Sequence, residues 1–465
     1  MQPLVEPTDL NRAGMPAAAF SRRGQRLALT SVLPLVIAIS GCGDMATQPV
    51  AAGTGLRPNL VAPQSSLIPT VNIAPAIGWP SGGMPIAAAG LQVNAFASGL
   101  DHPRWLASLP NGDLLVAESN APPKSKEGQS LKDRLLGWVS GWVMERAGAA
   151  VPSANRITLL RDSDGDGVAD FRSILLEGLK SPFGMVLLGH DLYIANTDAI
   201  VKFEYRSGDT RITGPGIKVL ELPAGAINHH WTKNLIASPD GKRLFVSVGS
   251  NSNVGERGLA AEVGRAAIWE YVIETGESRV FASGLRNPNG MAWEPHSGAL
   301  WTVVNERDEL GSDLVPDYLT SVRDGGFYGW PYSYFGQQVD ARAPASPTGQ
   351  LPQATVPDYA LGPHTASLGL ASSAGTSLPA PYANGMFIGQ HGSWNRKPHS
   401  GYKVIFVPFA AGRPVDGQPI DVLSGFLSDD GRAFGRPVGV ALDKRGGLLV
   451  ADDVGNVIWR VSSQP

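Results

Sequence analysis

Six times between residues 112 and 455 the chain repeats one phrase, a Gly followed by an alternating or continuous apolar run that ends in small polar residues. The six are GDLLVAES (112–119), GHDLYIANT (189–197), GKRLFVSVGS (241–250), GALWTVVNE (298–306), NGMFIGQHGS (384–393) and GGLLVADDVG (446–455). Runs of this length and alternation read as strands. A second strand-forming phrase precedes most of them (HPRWLASL, SPFGMVLL, HWTKNLIA, NPNGMAWE, HTASLGLA, RPVGVALD), and a third follows (NRITLLRD, IVKFEYRS, AIWEYVIE, YKVIFVPF, NVIWRVSS). Short strands repeated in this way predict an all-β chain, a six-bladed β-propeller over residues 89–465. One blade alone would expose an apolar face, so the ring has to close. The spacing of roughly 67 residues exceeds the ~40–45 of the shortest blade repeats, which calls for insertions. One of these, LKDRLLGWVSGWVMERAG (131–148), has an apolar helical face and predicts a helical insertion over about 124–150, packed on the surface or facing a membrane.

Composition agrees with a turn-rich globular chain. Of 465 residues 56 are Gly and 37 Pro, while 43% hydrophobic residues supply a large core. With 38 basic against 41 acidic residues there is no net attraction to nucleic acid. A single cysteine excludes an internal disulfide, thiolate zinc sites, iron–sulfur clusters and a C-x-x-C-H haem attachment. That cysteine follows Arg22, Arg23, Arg26 and an apolar run from Leu27 to Ser40, the layout of a secretory signal. The run is too short to span a ~30 Å hydrocarbon core. Ile39-Ser40-Gly41-Cys42 has the form of a bacterial lipobox, so residues 1–42 are expected to be a lipoprotein signal, with Cys42 lipidated. Residues 43–88, rich in Ala, Pro and Gly, are expected to be a flexible tether. The expected location is extracytoplasmic, on the periplasmic side of a bacterial membrane.

The phrases that begin each blade should converge at one end of the channel. Their leading residues are Arg104, Phe183, His229 with His230, Arg286 with Asn287, His364 with Thr365, and Arg436. Asn305, Glu306, Asp308, Asp313, His391, Arg396 and Asp452 lie where other strands end. Several bases and cations around one funnel point to an anionic ligand and a proton-transfer step. The alternative is that each Arg pairs with a neighbouring carboxylate and each His caps a turn.

The phrases HHWTKNLIASPDGKRLFVSVGS, GLRNPNGMAWEP, NERDELGSDLVPDYL, GGFYGWPY, GQHGSWNRKPHSGYKVIFVPF and GRPVGVALDKRGGLLVADDVGNVIWRV together resemble the soluble quinoprotein glucose and L-sorbosone dehydrogenase family, nearer its sorbosone branch, over about residues 90–463. The resemblance implies pyrroloquinoline quinone (PQQ) lying flat over the mouth of a six-bladed propeller, with Ca²⁺ beside it. It implies that His230 is the general base for the substrate hydroxyl, although the adjacent His229 leaves the assignment open by one residue. Arg286 matches the arginine that polarises the quinone carbonyl, and Asn287 matches a cofactor contact. Thr365 and Arg436 fall at the PQQ carboxylates. Arg307, Asp308 and Glu309 match the calcium loop, with Asp313 as its acidic support. The chain departs from the family where the glucose branch places a lysine over the quinone; His391, Arg396 or Lys397 has to substitute, and Arg396 is favoured.

Asp162, Asp164 and Asp166 have the D-x-D-x-D-G spacing of a calcium loop but lack its twelfth-position Glu, which is Ser173, leaving a structural Ca²⁺ site or a plain acidic turn. The function expected is a PQQ-dependent oxidoreductase acting on an aldose, sorbosone or related sugar-derived alcohol or aldehyde, with an external quinone or cytochrome as electron acceptor and a lipid anchor in the membrane. A calcium-dependent lactonase-like hydrolase and a non-catalytic binding lipoprotein are the competing readings.

Overall fold

In the computed structural model, residues 43–64, 70–123, 146–148, 151–225 and 227–464 are described. Cys42, residues 1–42 and most of the expected helix at 131–148 lie outside the described residues. The strands form six antiparallel blades. Blade 1 is Pro103–Ser108, Leu114–Glu118, Arg156–Arg161 and Phe171–Leu176, and blade 2 is Met185–Leu188, Asp191–Ala195, Ala199–Glu204 and Ile217–Glu221. Blade 3 is Leu235–Ala237, Arg243–Val248, Ala267–Val272 and Ser278–Ser283, and blade 4 is Asn287–Trp293, Leu300–Asn305, Pro316–Val322 and Tyr359–Pro363. Blade 5 is Ser367–Ser372, Gly385–Gln390, Lys403–Ala410 and Ile420–Ser424. Blade 6 takes Pro437–Leu442, Leu448–Asp452 and Val457–Ser463 from the end of the chain and its fourth strand, Leu91–Ser98, from the beginning, pairing Val457 with Ser98 and Val461 with Val93. This pairing closes the ring, and the expected six-bladed propeller is what the chain forms.

The first strand of each blade packs on the first strands of both neighbours, so these six line the axis. Close approach is written into the repeat. A Cβ on Gly290 would stand 2.6 Å from Leu370 N, and one on Gly369 would stand 2.2 Å from Val438 O. These glycines occupy one repeat position in NPNGMA and ASLGLA, and any side chain there would force the blades apart.

The segment expected to be a flexible tether is instead laid on the ring. Thr54–Gly55 extends blade 4 by pairing with Leu361 and Ala360, and Ile86–Ala87 extends blade 5. Trp79 packs edge-on against Phe426 and Trp459 at 5.5 and 5.4 Å and donates its Nε1–H to Asp452 Oδ2 at 2.7 Å. The outer blade edges offer unpaired backbone that a segment without sequence periodicity can still satisfy. Among the described residues no helix is long and apolar enough to cross a membrane.

Candidate active site

First strands begin and second strands end at the same end of the ring, and the loops there carry the mouth residues. His230 precedes the first strand of blade 3, with Ser250 just beyond its second strand. The imidazole Nδ1 lies 2.8 Å from the Ser250 carbonyl, which can only accept, so Nδ1 carries the proton and Nε2 is the free basic nitrogen. Burial, followed by the neighbouring His229 and Arg286, holds this imidazole well below its ordinary pKa. The Ser250 N–H donates to the Arg286 carbonyl at 2.7 Å, tying the two residues together. Gly249 leaves just the space they need: a Cβ there would stand 2.4 Å from Asn287 Oδ1 and 2.5 Å from His230 Cβ. His229 is exposed, edge-on to His230 at 4.6 Å, and its own N–H donates to Asn251 Oδ1. Of the two histidines, His230 is therefore the one aimed and desolvated.

Arg286 is buried, and its guanidinium donates to the Asn253 carbonyl, Asn253 Oδ1, the Glu306 carbonyl and Asp308 Oδ2, at 3.2, 2.9, 2.5 and 2.9 Å. Asp308 Oδ1 in turn accepts from Asn395 Nδ2 at 2.8 Å. Blades 3, 4 and 5 thus share one rigid charge-assisted network. Asn287, beside it, keeps a buried Oδ1 without a partner.

Across the mouth, Asp453 is buried and accepts from Arg104 Nη1 at 2.5 Å and from His391 Nε2 at 2.9 Å, with His102 Nε2 at 3.5 Å. Burial alone would raise this carboxyl, but His391, His102 and Arg104 outweigh it and hold it below the usual carboxylate range. Burial also lowers His102 to about 4 and lowers His391, so both are neutral near pH 7. Between these groups, burial pushes Asp317 up to about 7, although Glu306 N, Thr365 Oγ1 and Ser367 N all donate to it.

The structure thus brings His230, Arg286 and Asn287 together as expected from the sequence, and it separates others. Thr365 is fully buried, with its hydroxyl committed to Asp317. Arg396 turns to the N-terminal segment, where its Nη2 donates to the Gln48 carbonyl at 2.9 Å and meets Asp313 at 3.3 Å. Arg436 donates to the Ala74 carbonyl at 3.0 Å and lies 5.3 Å from the Tyr402 ring centroid. The pairing alternative is realised for Arg104, Arg286 and Arg396.

The expected calcium loop does not assemble from Asp308, Glu309 and Asp313. The Asp308 carbonyl accepts from Asn253 Nδ2 and Arg342 Nη1, and its carboxylate is shared between Arg286 and Asn395. Glu309 is exposed, and Asp313 Oδ2 accepts from Thr47 and Gln48. These three residues do not fit a divalent cation. Among the described residues the carboxylates close enough to share one ion are Asp162, Asp164 and Asp166, in the loop between the third and fourth strands of blade 1. Asp162 already accepts from Gly165 N and Gly167 N there.

Sequence reasoning missed Asn253, Asp453, His102 and Lys233. The buried Lys233 amine donates to the carbonyls of His230 and Trp231 at 3.4 and 3.3 Å, and burial, then Arg265, pushes its pKa well down. Asn253 lies three residues past the phrase that ends at 250, and Asp453 sits in the polar tail of the phrase 446–455, where no periodicity marks them. What remains at the mouth is the buried Arg104 Nε, without an acceptor among the described residues, together with a neutral, oriented base.

The closed six-bladed ring carries an aimed imidazole and a buried charged network at its mouth, and two family models match it. The TrAA12-like family model matches residues 157–318 and 341–464, and the Glucose / Sorbosone dehydrogenase model matches residues 271–392. The chain belongs to the TrAA12-like family. It is 25% identical over 289 residues to aldose sugar dehydrogenase YliI of Escherichia coli, covering 58% of this chain and 68% of that protein. It shares its fold with a Trichoderma reesei Carbohydrate-Active Enzymes Family AA12 structure (TM-score 0.63, 19% identity, 84% and 99% of the two chains). The holo PQQ domain of Coprinopsis cinerea pyranose dehydrogenase shares it too (TM-score 0.61, 21% identity, 84% and 100%). Homology of this kind makes the chain an oxidoreductase of the sugar-dehydrogenase type.

Proposed function

We propose that this chain is an extracytoplasmic PQQ-dependent dehydrogenase, anchored through lipid on Cys42, that oxidises an aldose, sorbosone or related sugar-derived alcohol or aldehyde. The observation that carries the reading is the His230 imidazole, with Nδ1 fixed on the Ser250 carbonyl and Nε2 left as a neutral base beside Arg286. PQQ, when bound, supplies a quinone that accepts hydride from the substrate carbon. His230 Nε2 takes the proton of the reacting hydroxyl, and its lowered pKa keeps it ready to do so below neutral pH. Arg286 needs no reorganisation to stabilise negative charge developing near it, because five hydrogen bonds fix its guanidinium. The unpartnered Nε donor of Arg104 suits a carboxylate of a tricarboxylate cofactor, and Asn287 Oδ1 suits a polar edge of it. Calcium has no step in this reading. Electrons leave to an acceptor outside the chain, a quinone or a cytochrome.

The test is dye reduction by the PQQ-loaded protein across a panel of aldoses and aldehydes. Turnover that requires PQQ and is lost in His230→Ala is expected. Hydrolysis of sugar lactones without PQQ would replace this reading with the lactonase one.

A further inference from the structure

We propose that Arg104, Asp453 and His391 form a proton-coupled carboxylate site, in which seating an anion on Arg104 makes His391 take up a proton. The inference rests on the dehydrogenase reading above, which puts a carboxylate of the cofactor at Arg104, and adds a proton to that binding step. Arg104 lies at the start of blade 1, and its guanidinium is held on three sides. Nη1 donates to Asp453 Oδ2, and the ring centroids of Phe183 and Trp231 lie 5.9 and 5.8 Å away. Its Nε–H is buried without an acceptor among the described residues. A buried donor of this kind, on a fixed cation, gains a charge-assisted hydrogen bond when a carboxylate reaches it.

The charges around Arg104 supply the coupling. Asp453 opposes Arg104, and His102 and His391 are neutral near pH 7, so the cluster carries no net charge. An added carboxylate leaves it negative in a buried setting, which favours protonation of a neighbouring base. His391 is the base placed to respond. Asp453 Oδ2 lies 2.9 Å from its Nε2 and can only accept, so Nε2 carries the proton and Nδ1 keeps the lone pair. The His391 side chain is 18% exposed, against 1% for Asp453, so solvent protons reach it. His102 is sealed behind them: its Nδ1 donates to the Asp453 carbonyl at 3.0 Å, and burial holds it at about 4. Of the charged groups that face the His391 ring, Asp453 raises its pKa, while Arg436 and Arg104 add to the lowering by burial. An anion on Arg104 offsets one of those two cations. The His391 pKa is then higher in the complex than in the free chain, and affinity rises as pH falls through the interval between the two values.

The test is calorimetric titration of the full chain with PQQ, in buffers of different ionisation enthalpy, between about pH 5.5 and 7.5, where carboxylates stay ionised and an imidazole titrates. The variant is His391→Gln, which keeps an N–H for Asp453 and takes up no proton in this range. Wild type is expected to bind PQQ with uptake of up to one proton, its affinity rising by as much as about tenfold per pH unit as pH falls. His391→Gln is expected to bind PQQ with that uptake and that slope reduced. Binding by wild type without proton uptake, or uptake unchanged in His391→Gln, overturns this inference and leaves the dehydrogenase reading standing. Absence of saturable PQQ binding overturns both. A second readout keeps His391 in place: pH titration of the histidine Cε1–H signals in His230→Ala, with and without PQQ. One imidazole should titrate at higher pH when PQQ is bound, and titrations that PQQ leaves unmoved overturn the inference.

Discussion

Replacing Gly249 with alanine is expected to disable the site while leaving the propeller folded. Gly249 ends the phrase VSVGS at the mouth of blade 3, and an added Cβ would stand 2.4 Å from Asn287 Oδ1 and 2.5 Å from His230 Cβ. Carbon contacts are comfortable near ~3.5 Å, so one of these groups has to move by about 1 Å. Asn287 opens an axis-lining strand, and the His230 imidazole hangs on the Ser250 carbonyl, so either displacement disturbs the base or its neighbour. A shift of that size in a reacting group costs on the order of 10²-fold in rate, which is about 2.7 kcal/mol at ~1.36 kcal/mol per tenfold. The overpacking itself costs about 1–3 kcal/mol of stability, spread over one corner of one blade. Gly214→Ala is the control, because nothing lies within 4 Å of a Cβ there. The assay is kcat for dye reduction by the PQQ-loaded variants, with circular dichroism to confirm folding. A folded Gly249→Ala protein with kcat within roughly twofold of wild type, or an equal loss in Gly214→Ala, would refute the reasoning.

Three further outcomes follow from the buried charges. The acid limb of kcat/KM should report an apparent pKa below the ordinary imidazole value, because burial, His229 and Arg286 lower His230; a limb at or above 6.5 contradicts this. Asp453→Asn removes the partner of a buried Arg104 and should cost about 3–5 kcal/mol in urea unfolding, and a loss below about 1 kcal/mol would mean the cluster relaxes freely. Stability against pH carries two opposing titrations. His102, lowered from 6.5 to about 4, is neutral in the fold, so about 3 kcal/mol is lost as pH falls through that window. Asp317, raised to about 7, takes up a proton on folding below that pH, so its burial cost is relieved over the same range. Asp317→Asn should therefore lose stability more steeply than wild type between pH 7 and pH 4, and parallel curves would contradict the assignment.

The blades were legible because each strand phrase keeps its alternation and each recurs in register with the others. His230, Arg286 and Asn287 could be placed for the same reason, since they open equivalent strands whose ends converge by topology. The closing strand Leu91–Ser98 could not be paired from local pattern, because its partner Val457–Ser463 lies at the other end of the chain. The segment 43–88 misled for a related reason. Among the described residues its contacts are backbone additions to distant edges, the Trp79 side chain and scattered polar links such as Asp44 to Ser312 and Thr47 to Asp313, and none of these leaves periodicity in the sequence. Asp452 and Asp453 show the limit at residue scale: adjacent residues at a strand end point to opposite sides, so Asp452 holds Trp79 and Trp459 while Asp453 serves the mouth. The calcium loop failed because Asn253 and Arg342, remote in sequence, claim the Asp308 carbonyl that a cation would need.

The most direct test of the central claim is titration of the purified protein with PQQ, followed by visible absorbance before and after addition of an oxidisable sugar. The account predicts a saturable spectral change in both wild type and His230→Ala, with sugar-dependent bleaching in wild type alone. Absence of saturable binding, or bleaching that proceeds equally in His230→Ala, would contradict it.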